Sequence, residues 1–198
     1  MNRPGGNVTG ATGLGVELVS KRLELAHELV PTATVIAALI NPANTTQAAP
    51  QLRDLQAAAR TLGLKLHVVH ASTERDFATV FATLVRLRPG ALVIGIDGFL
   101  ISRNQELAAL SVQHTMPAIF QDHAFAAAGG LMSYGGSPTE VYRQAGIYTG
   151  RILKGEKPGD LPVQQATKVE LIINLKTARA LRIGVPATLL ARADEVIE

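Results

Sequence analysis

The chain has 198 residues, which is enough for one α/β domain or for one domain and part of another. Hydrophobic residues make up 47% and charged residues 18%, a balance that excludes an intrinsically disordered protein. The net charge of +3 is not gathered into a basic block interleaved with aromatic residues, so the sequence predicts no nucleic-acid partner. The absence of cysteine excludes disulfides, thiolate metal ligands and cysteine nucleophiles.

The N-terminal region carries no apolar segment of the kind found in a signal peptide. Pro4-Gly5-Gly6 is typical of a loop inside a larger protein, so we expect the sequence to begin within one. Residues 7–15 are rich in Gly and Thr and predict an extended, flexible connector. Residues 17–29 place leucines on one helical face and predict a helix that ends before Pro31.

The stretch at 35–62 is the clearest strand–loop–helix unit. Residues 35–40 form a continuous apolar run, which is typical of a strand buried on both faces of a parallel sheet. Pro42 and its flanking asparagines end that strand. Thr45 or Thr46 is a candidate N-cap, apolar residues recur at helical spacing from position 48, and Gly63 predicts the end of the helix.

Strand and helix patterns continue to alternate along the chain. Further strands are predicted at 64–70, 91–96, 117–120 and 130–134. Intervening helices are predicted at 73–88, 102–114 and 124–129. This alternation indicates an α/β fold with a doubly wound parallel sheet, in the strand order 2-1-3-4-5.

The pattern changes after Tyr134. Ser137 and Pro138 predict the start of a helix. An apolar stripe follows on that helix, at Val141, Ala145, Tyr148 and Ile152. A strand at 169–173, a short helix capped by Asn174 and a last helix at 186–198 complete the expected elements.

Polar side chains follow two of the predicted strands at the points where they end. Asn41, Asn44 and Thr45 follow the first strand, and Asp97 with Gly98 follows the third. In a 2-1-3-4-5 order these two loops flank the topological switch point, where open α/β sheets bind ligands. We therefore expect Asn41 and Asp97 to face one shared cleft that takes a small polar or zwitterionic ligand. The competing interpretation is that these residues only end strands and cap helices.

Signals for catalysis and cofactor binding are weak. The five histidines form no HxxxH or HExxH pattern, and no GxSxG elbow accompanies Ser72 or Asp122. The glycines of GATGLG at 10–15 do not match the dinucleotide fingerprint. The sequence predicts no enzyme, no metal site and no cofactor. Gly129-Gly130 and Gly135-Gly136 are interpreted as hinge residues.

With these segments in place, the chain resembles the ABC-transporter substrate-binding proteins of the uncharacterised type I periplasmic class. The segments that carry the resemblance are RPGGNVTG at 3–10, KRLELAHELVP at 21–31, INPAN at 40–44, AARTLGLKL at 58–66, GGLMSYG at 129–135, YRQAGIYTGRILKGEKPGDLPV at 142–163 and LIINLKTARALRIGVP at 171–186. They follow one another along nearly the whole chain, which makes the resemblance specific.

The resemblance implies a two-lobed clamp with a Rossmann-like or flavodoxin-like fold in each lobe. Residues 7–132 would form the second lobe, 134–164 would cross to the first lobe, and 168–198 would return. The family has a further α/β lobe before RPGGNVTG, so the expectation is a fragment or a truncated reading frame. Ligand contacts carried over from the family fall at Thr12, Asn41, Asn44, Thr45, Asp97, Asp122 and Tyr134.

The same resemblance implies a function in transport. The expected role is binding a small organic solute, an aromatic amino acid in some members, and delivering it to an ABC permease. Such proteins are periplasmic or lipid-anchored outside the cytoplasm. The alternative is a type I ligand-binding sensor or regulatory domain that is not coupled to transport. Because the sheet expected under residues 134–164 belongs to the first lobe, we also expect self-association or a domain swap through this segment.

Overall fold

The computed structural model describes residues 4–198 and divides them into two compact units. The large unit consists of residues 15–135 and 170–198, and the small unit holds 4–14 and 136–169. The α-helices are α1 (Val19–Leu29), α2 (Thr45–Thr61), α3 (Arg75–Leu87), α4 (Gly98–Ser102), α5 (Asn104–Gln113), α6 (His123–Ala127), α7 (Pro138–Leu153), α8 (Leu175–Ala180) and α9 (Ala187–Leu190). The strands are β1 (Ala11–Gly13), β2 (Val35–Ile40), β3 (Lys65–His70), β4 (Ala91–Ile94), β5 (Ala118–Phe120), β6 (Met132–Gly136), β7 (Gln164–Ala166), β8 (Val169–Asn174) and β9 (Glu195–Ile197).

A seven-stranded sheet in the order β3-β2-β4-β5-β6-β8-β9 organises the large unit. Its first five strands run parallel, with β2 between β3 and β4, which is the predicted 2-1-3-4-5 order. β8 and β9 are parallel to each other. The fold is therefore a mostly parallel, doubly wound α/β structure, as the sequence predicts.

Strand β2 shows why its apolar run is continuous. Ile36, Ala38 and Ile40 pack in one hydrophobic core with α1 and α2, whereas Ala37 and Leu39 pack in a second core with α3 on the opposite face. Successive side chains of a strand point to opposite faces, so a strand covered by helices on both faces must be apolar at every position. Because β2 lies between β3 and β4, its end and the adjacent Asn41 lie at the switch point of the sheet.

The small unit contains a two-stranded parallel sheet of β1 and β7, with Thr12 opposite Gln165. Helix α7 packs against both strands, and Tyr148 is buried with its hydroxyl donating to the carbonyl of Pro162 at 2.6 Å. The expectation that the apolar stripe of α7 lacks an intrachain partner is therefore wrong for Tyr148, whereas Ala145 of the same stripe is exposed. No apolar pattern in the sequence indicates this partner, because each strand has three residues drawn from Ala, Thr, Gly and Gln.

Other expected elements also differ from the structure. Residues 186–198 do not form one helix: α9 ends at Leu190, and β9 adds to the sheet edge beside β8. Residues 7–14 cluster with the small unit rather than with 15–135. Gly135 is explained by a close approach, since a Cβ there would lie 2.1 Å from the carbonyl oxygen of Gln121. Within residues 4–198, no helix combines the length and the apolarity that crossing a membrane requires.

Candidate functional site

Three parallel strands end beside one another and bring their exit loops together. Asn41 comes directly after β2, and Asp97 lies after β4 at the start of α4. Ser72 follows β3, and one residue separates it from the last residue of that strand. Parallel strands place all their carboxyl ends at one edge of the sheet. The chain passes from β2 to β3 on one side and from β3 to β4 on the other side of β2, and such a reversal of strand order leaves a crevice between the two loops. The candidate site is built at this crevice.

Asp97 is the centre of the hydrogen-bond network. It is only 5% exposed and caps α4, with its Oδ1 accepting from the backbone N–H groups of Phe99 at 2.9 Å and Leu100 at 3.2 Å. The amide of Asn41 donates to the same Oδ1 at 2.9 Å, and the amide of Asn44 donates to Oδ2 at 2.9 Å. One carboxylate thereby joins the exit loops of β2 and β4.

Asn41 extends the network to the third strand. Its Oδ1 accepts from the N–H of Ala43 at 3.0 Å and from the hydroxyl of Ser72 at 2.8 Å. Asn41 is 8% exposed, so it faces the other polar groups rather than bulk solvent. The structure thus brings Asn41 and Asp97 into direct contact. Asp97 also caps α4, so the contact with Asn41 and the helix cap occur together in this residue.

The electrostatics favour a ligand with a positive group. Burial raises the pKa of Asp97, but the hydrogen bonds from Asn41, Asn44, Leu100 and Phe99 outweigh it and leave that pKa below its ordinary value. All of these donors are neutral, so the carboxylate stays ionised at neutral pH with its charge uncompensated by them. Its Oδ2 accepts from Asn44, and a carboxylate oxygen can accept a second hydrogen bond, for example from an ammonium group.

Helix α2 begins at the same place. Asn44 is its N-cap, and its Oδ1 accepts from the N–H of Gln47 at 3.4 Å. Thr45 is the first residue of the helix and is exposed. Unbonded N–H groups in a first turn and an exposed hydroxyl suit an anionic or hydroxyl group of a ligand. Asn44, Thr45 and Asp97 together therefore offer partners of both polarities.

The remaining predicted residues have other hydrogen-bond partners or surroundings. Asp122 caps α6 by accepting from the N–H of Ala124 at 3.1 Å, and Asn104 donates to its other oxygen at 3.2 Å. Tyr134 is half-buried on β6. Thr12 is exposed on β1 of the small unit. None of these three shares a hydrogen bond with the Asn41–Asp97 network among the described residues.

Two buried side chains were missed by the sequence reasoning. Arg22 is fully buried in α1, and its guanidinium donates to the carbonyls of Tyr134 at 3.0 Å and Gly15 at 3.2 Å. Burial lowers the pKa of Arg22 to about 10. Gln51, 1% exposed in α2, contacts the backbone beside Asp97. Both residues sit among the polar positions of amphipathic helices, so no sequence pattern separates them from solvent-facing residues.

Residues 4–198 hold no group of three or more His, Asp or Glu side chains that could bind a metal ion. The polar groups at the candidate site are instead amides, a hydroxyl and a single carboxylate, and the carboxylate accepts hydrogen bonds. Such a set suits an organic ligand with several hydrogen-bonding groups.

Comparison with known proteins identifies the family of this chain. The model of the family described as ABC transporter substrate binding protein matches residues 1–197. A tyrosine-binding protein of Clostridioides difficile (strain R20291) is 25% identical over 181 residues, which are 91% of this chain and 51% of that protein. The chain thus spans about half the length of this curated relative.

Two solved structures share the fold closely. The ABC domain of a Streptococcus pneumoniae protein, in complex with L-Trp, is 26% identical with a TM-score of 0.83, and the match covers 99% of this chain and 67% of that one. A conserved domain protein from Vibrio cholerae O1 biovar El Tor is 27% identical, also with a TM-score of 0.83, over 98% of this chain and 64% of that one.

Proposed function

Because this chain belongs to the ABC transporter substrate-binding protein family, we propose that it supplies one wall of a binding site for an amino acid destined for import. The observation that carries the proposal is the convergence of Asn41, Asn44 and Asp97 at the switch point of the sheet. An ammonium group of the solute would bind Asp97 Oδ2, and a carboxylate would lie at the first turn of α2 near Thr45. The role is binding without chemical conversion.

The aromatic amino acids are the first candidates for the solute. One relative is named for binding tyrosine, and the structure of another holds L-Trp. The zwitterionic end of any amino acid fits the charges offered by Asp97 and α2. Thr12, Asp122 and Tyr134 are the further ligand-contact positions that the family resemblance contributes. Closure of a second lobe over the solute and docking to an ABC permease, outside the cytoplasm, complete the proposed role.

Binding of L-Trp and L-Tyr to the purified chain tests the proposal. Because the sequence contains no tryptophan, the fluorescence of L-Trp reports its own binding, and calorimetry extends the test to the other amino acids. We expect saturable binding that Asp97→Asn weakens, since the new amide would oppose the amide of Asn44. Asp54→Asn, on the exposed part of α2, is the matched control and should bind as the parent does. Equal binding by parent and Asp97→Asn would contradict the assigned site.

We further propose that the small unit associates with a second copy of the chain through residues 134–164. Although Tyr148 is buried, Tyr142 is 76% and Leu153 is 82% exposed on one side of α7. This side also carries Ala145, Gly146 and Thr149 and no charged residue, which is unusual for the surface of a monomer. The support is this uncharged face together with the short, two-stranded sheet beneath the helix.

Sedimentation velocity over a range of concentrations tests this association. We expect Leu153→Glu and Tyr142→Glu to shift the chain toward monomer, because each places a charge at the interface. Val85→Glu changes a similarly apolar residue, 48% exposed on α3 of the large unit, and should leave the association unchanged. A parent that stays monomeric at high concentration would rule this interface out.

A further inference from the structure

The backbone just before Asp97 is held by one side chain. Strand β4 ends at Ile94, and Gly95 makes the last bond to the neighbouring strand, with its N–H donating to the carbonyl of Leu39 at 2.8 Å. Ile96 lies beyond the sheet and is buried. Its N–H and C=O therefore need partners from elsewhere, because a buried backbone group without one is strongly unfavourable.

Gln51 provides both partners. Its Oε1 accepts from the N–H of Ile96 at 2.6 Å, and its Nε2 donates to the carbonyl of Ile96 at 2.8 Å. A side-chain amide has an acceptor oxygen and two N–H donors, so it can bond both the N–H and the C=O of one residue, as a neighbouring strand would. The second donor of Nε2 bonds the carbonyl of Gln47 at 3.0 Å, which ties the side chain to its own helix.

The sheet makes room for this contact at Gly95. A Cβ on Gly95 would lie 2.7 Å from Ile40 Cδ1, 2.9 Å from the carbonyl oxygen of Leu39 and 3.0 Å from Gln51 Oε1. Any larger residue would push the Gln51 amide off the strand end or displace β2. The glycine and the glutamine are therefore complementary parts of one contact.

We propose that Gln51 is a positioning residue for the candidate site, setting the distance between Asp97 and the start of α2. Gln51 belongs to α2, the helix that Asn44 caps, and it hydrogen-bonds the backbone of Ile96, the residue that precedes Asp97. The Gln51–Ile96 hydrogen bonds thus hold helix α2 and the residue before Asp97 together, and this fixes the 2.9 Å contact between Asn44 and Asp97. The expected effect of Gln51 on ligand binding rests on the proposed function. The expected effect of Gln51 on the positions of Ile96 and Asp97 does not depend on that function.

Gln51→Met tests the inference, because methionine has a similar length and cannot bond Ile96. Leu55→Ala is the control: it damages the core on the same helix without touching Ile96. Amide hydrogen exchange is measured at Ile96 and at Val93, within β4. In Gln51→Met we expect the protection of Ile96 to fall relative to that of Val93. In Leu55→Ala the two should fall together, as a general loss of stability requires.

Two further readouts report on the site itself. Carboxyl NMR should show the pKa of Asp97 rising toward its ordinary value in Gln51→Met, as its hydrogen bonds lengthen, but not in Leu55→Ala. L-Trp binding should weaken about tenfold in Gln51→Met, the equivalent of one hydrogen bond. If the parent binds no amino acid, the proposed function fails, and the exchange ratio and the pKa of Asp97 still decide the role of Gln51.

A second variant covers the case in which Gln51→Met does not fold. Gln51→Glu keeps the shape, and only its protonated carboxyl group can both accept from and donate to Ile96. Burial raises the pKa of that new group, so lowering the pH should restore the protection of Ile96 before Asp97 is protonated. The inference is overturned if a folded Gln51→Met keeps the parent's exchange ratio and the parent's pKa of Asp97, or if Gln51→Glu shows no recovery with falling pH.

Discussion

The large and small units differ in how their side chains are buried. In the large unit, two cores lie on opposite faces of the sheet and contain most of its leucines, isoleucines and phenylalanines. In the described part of the small unit, residues 4–14 and 136–169, the buried apolar side chains are Tyr148, Leu161 and Ala166. A unit with so little buried apolar surface gains little free energy from folding. The difference teaches that the candidate site at Asp97 is built on the stable part of the chain.

The largest expected effect comes from the core of the large unit. Phe81 is fully buried on α3, and Phe81→Ala should lower the free energy of unfolding by about 3–5 kcal/mol. Leu161→Ala in the small unit should instead open that unit locally and change the main transition little. Urea denaturation followed by circular dichroism reports the large unit. Tyrosine fluorescence is weighted toward the small unit, which contains Tyr142 and Tyr148. Coincident transitions in both variants would show that the units unfold as one.

The sequence predicts the large unit well because its signals are local. The apolar run at Val35–Ile40 and the turn residues that follow it are found within a few positions of one another. The contact between Asn41 and Asp97 could be anticipated as well, since strand order alone places both loops at the switch point. The contacts of Gln51 and Arg22 could not, because their partners are backbone atoms fixed only by the packed helices.

The small unit shows where sequence reasoning stops. β1 and β7 pair across 153 positions, with Ala11 opposite Gln164, and neither segment has an apolar pattern. Three-residue strands carry too few side chains to show a period. The same limit explains why the region after Leu190 was expected to be helical although Glu195–Ile197 adds to the sheet edge. The packing partner of the apolar stripe on α7 could therefore not be predicted, because that partner is the β1–β7 sheet.

A smaller effect is expected at Asp97, where the hydrogen bonds that lower its pKa also stabilise the fold. A lowered folded pKa means that this stability is present above the ordinary pKa of an unfolded aspartate and is lost as the pH falls through the folded pKa. Asp97→Asn should cost about 2 kcal/mol at neutral pH and should flatten the loss of stability below about pH 4. Denaturation midpoints measured across this range test it. An unchanged slope in Asp97→Asn would mean that other carboxylates cause the acid sensitivity.

The smallest effect concerns the hydrogen bond of the buried Tyr148 in the small unit. The Tyr148 hydroxyl donates to the carbonyl of Pro162 at 2.6 Å, and Tyr148→Phe removes this bond while keeping the ring. We expect a loss of about 1 kcal/mol, since the carbonyl is left without this donor. We expect the small unit to open without unfolding of the large unit, so the loss should appear as faster amide exchange in α7 and not in β2 or β4. Tyr142→Phe is the matched control, because that ring is 76% exposed and a surface change of this kind is worth less than about 0.5 kcal/mol. Faster exchange in β2 as well as α7 would show that the two units share one cooperative transition.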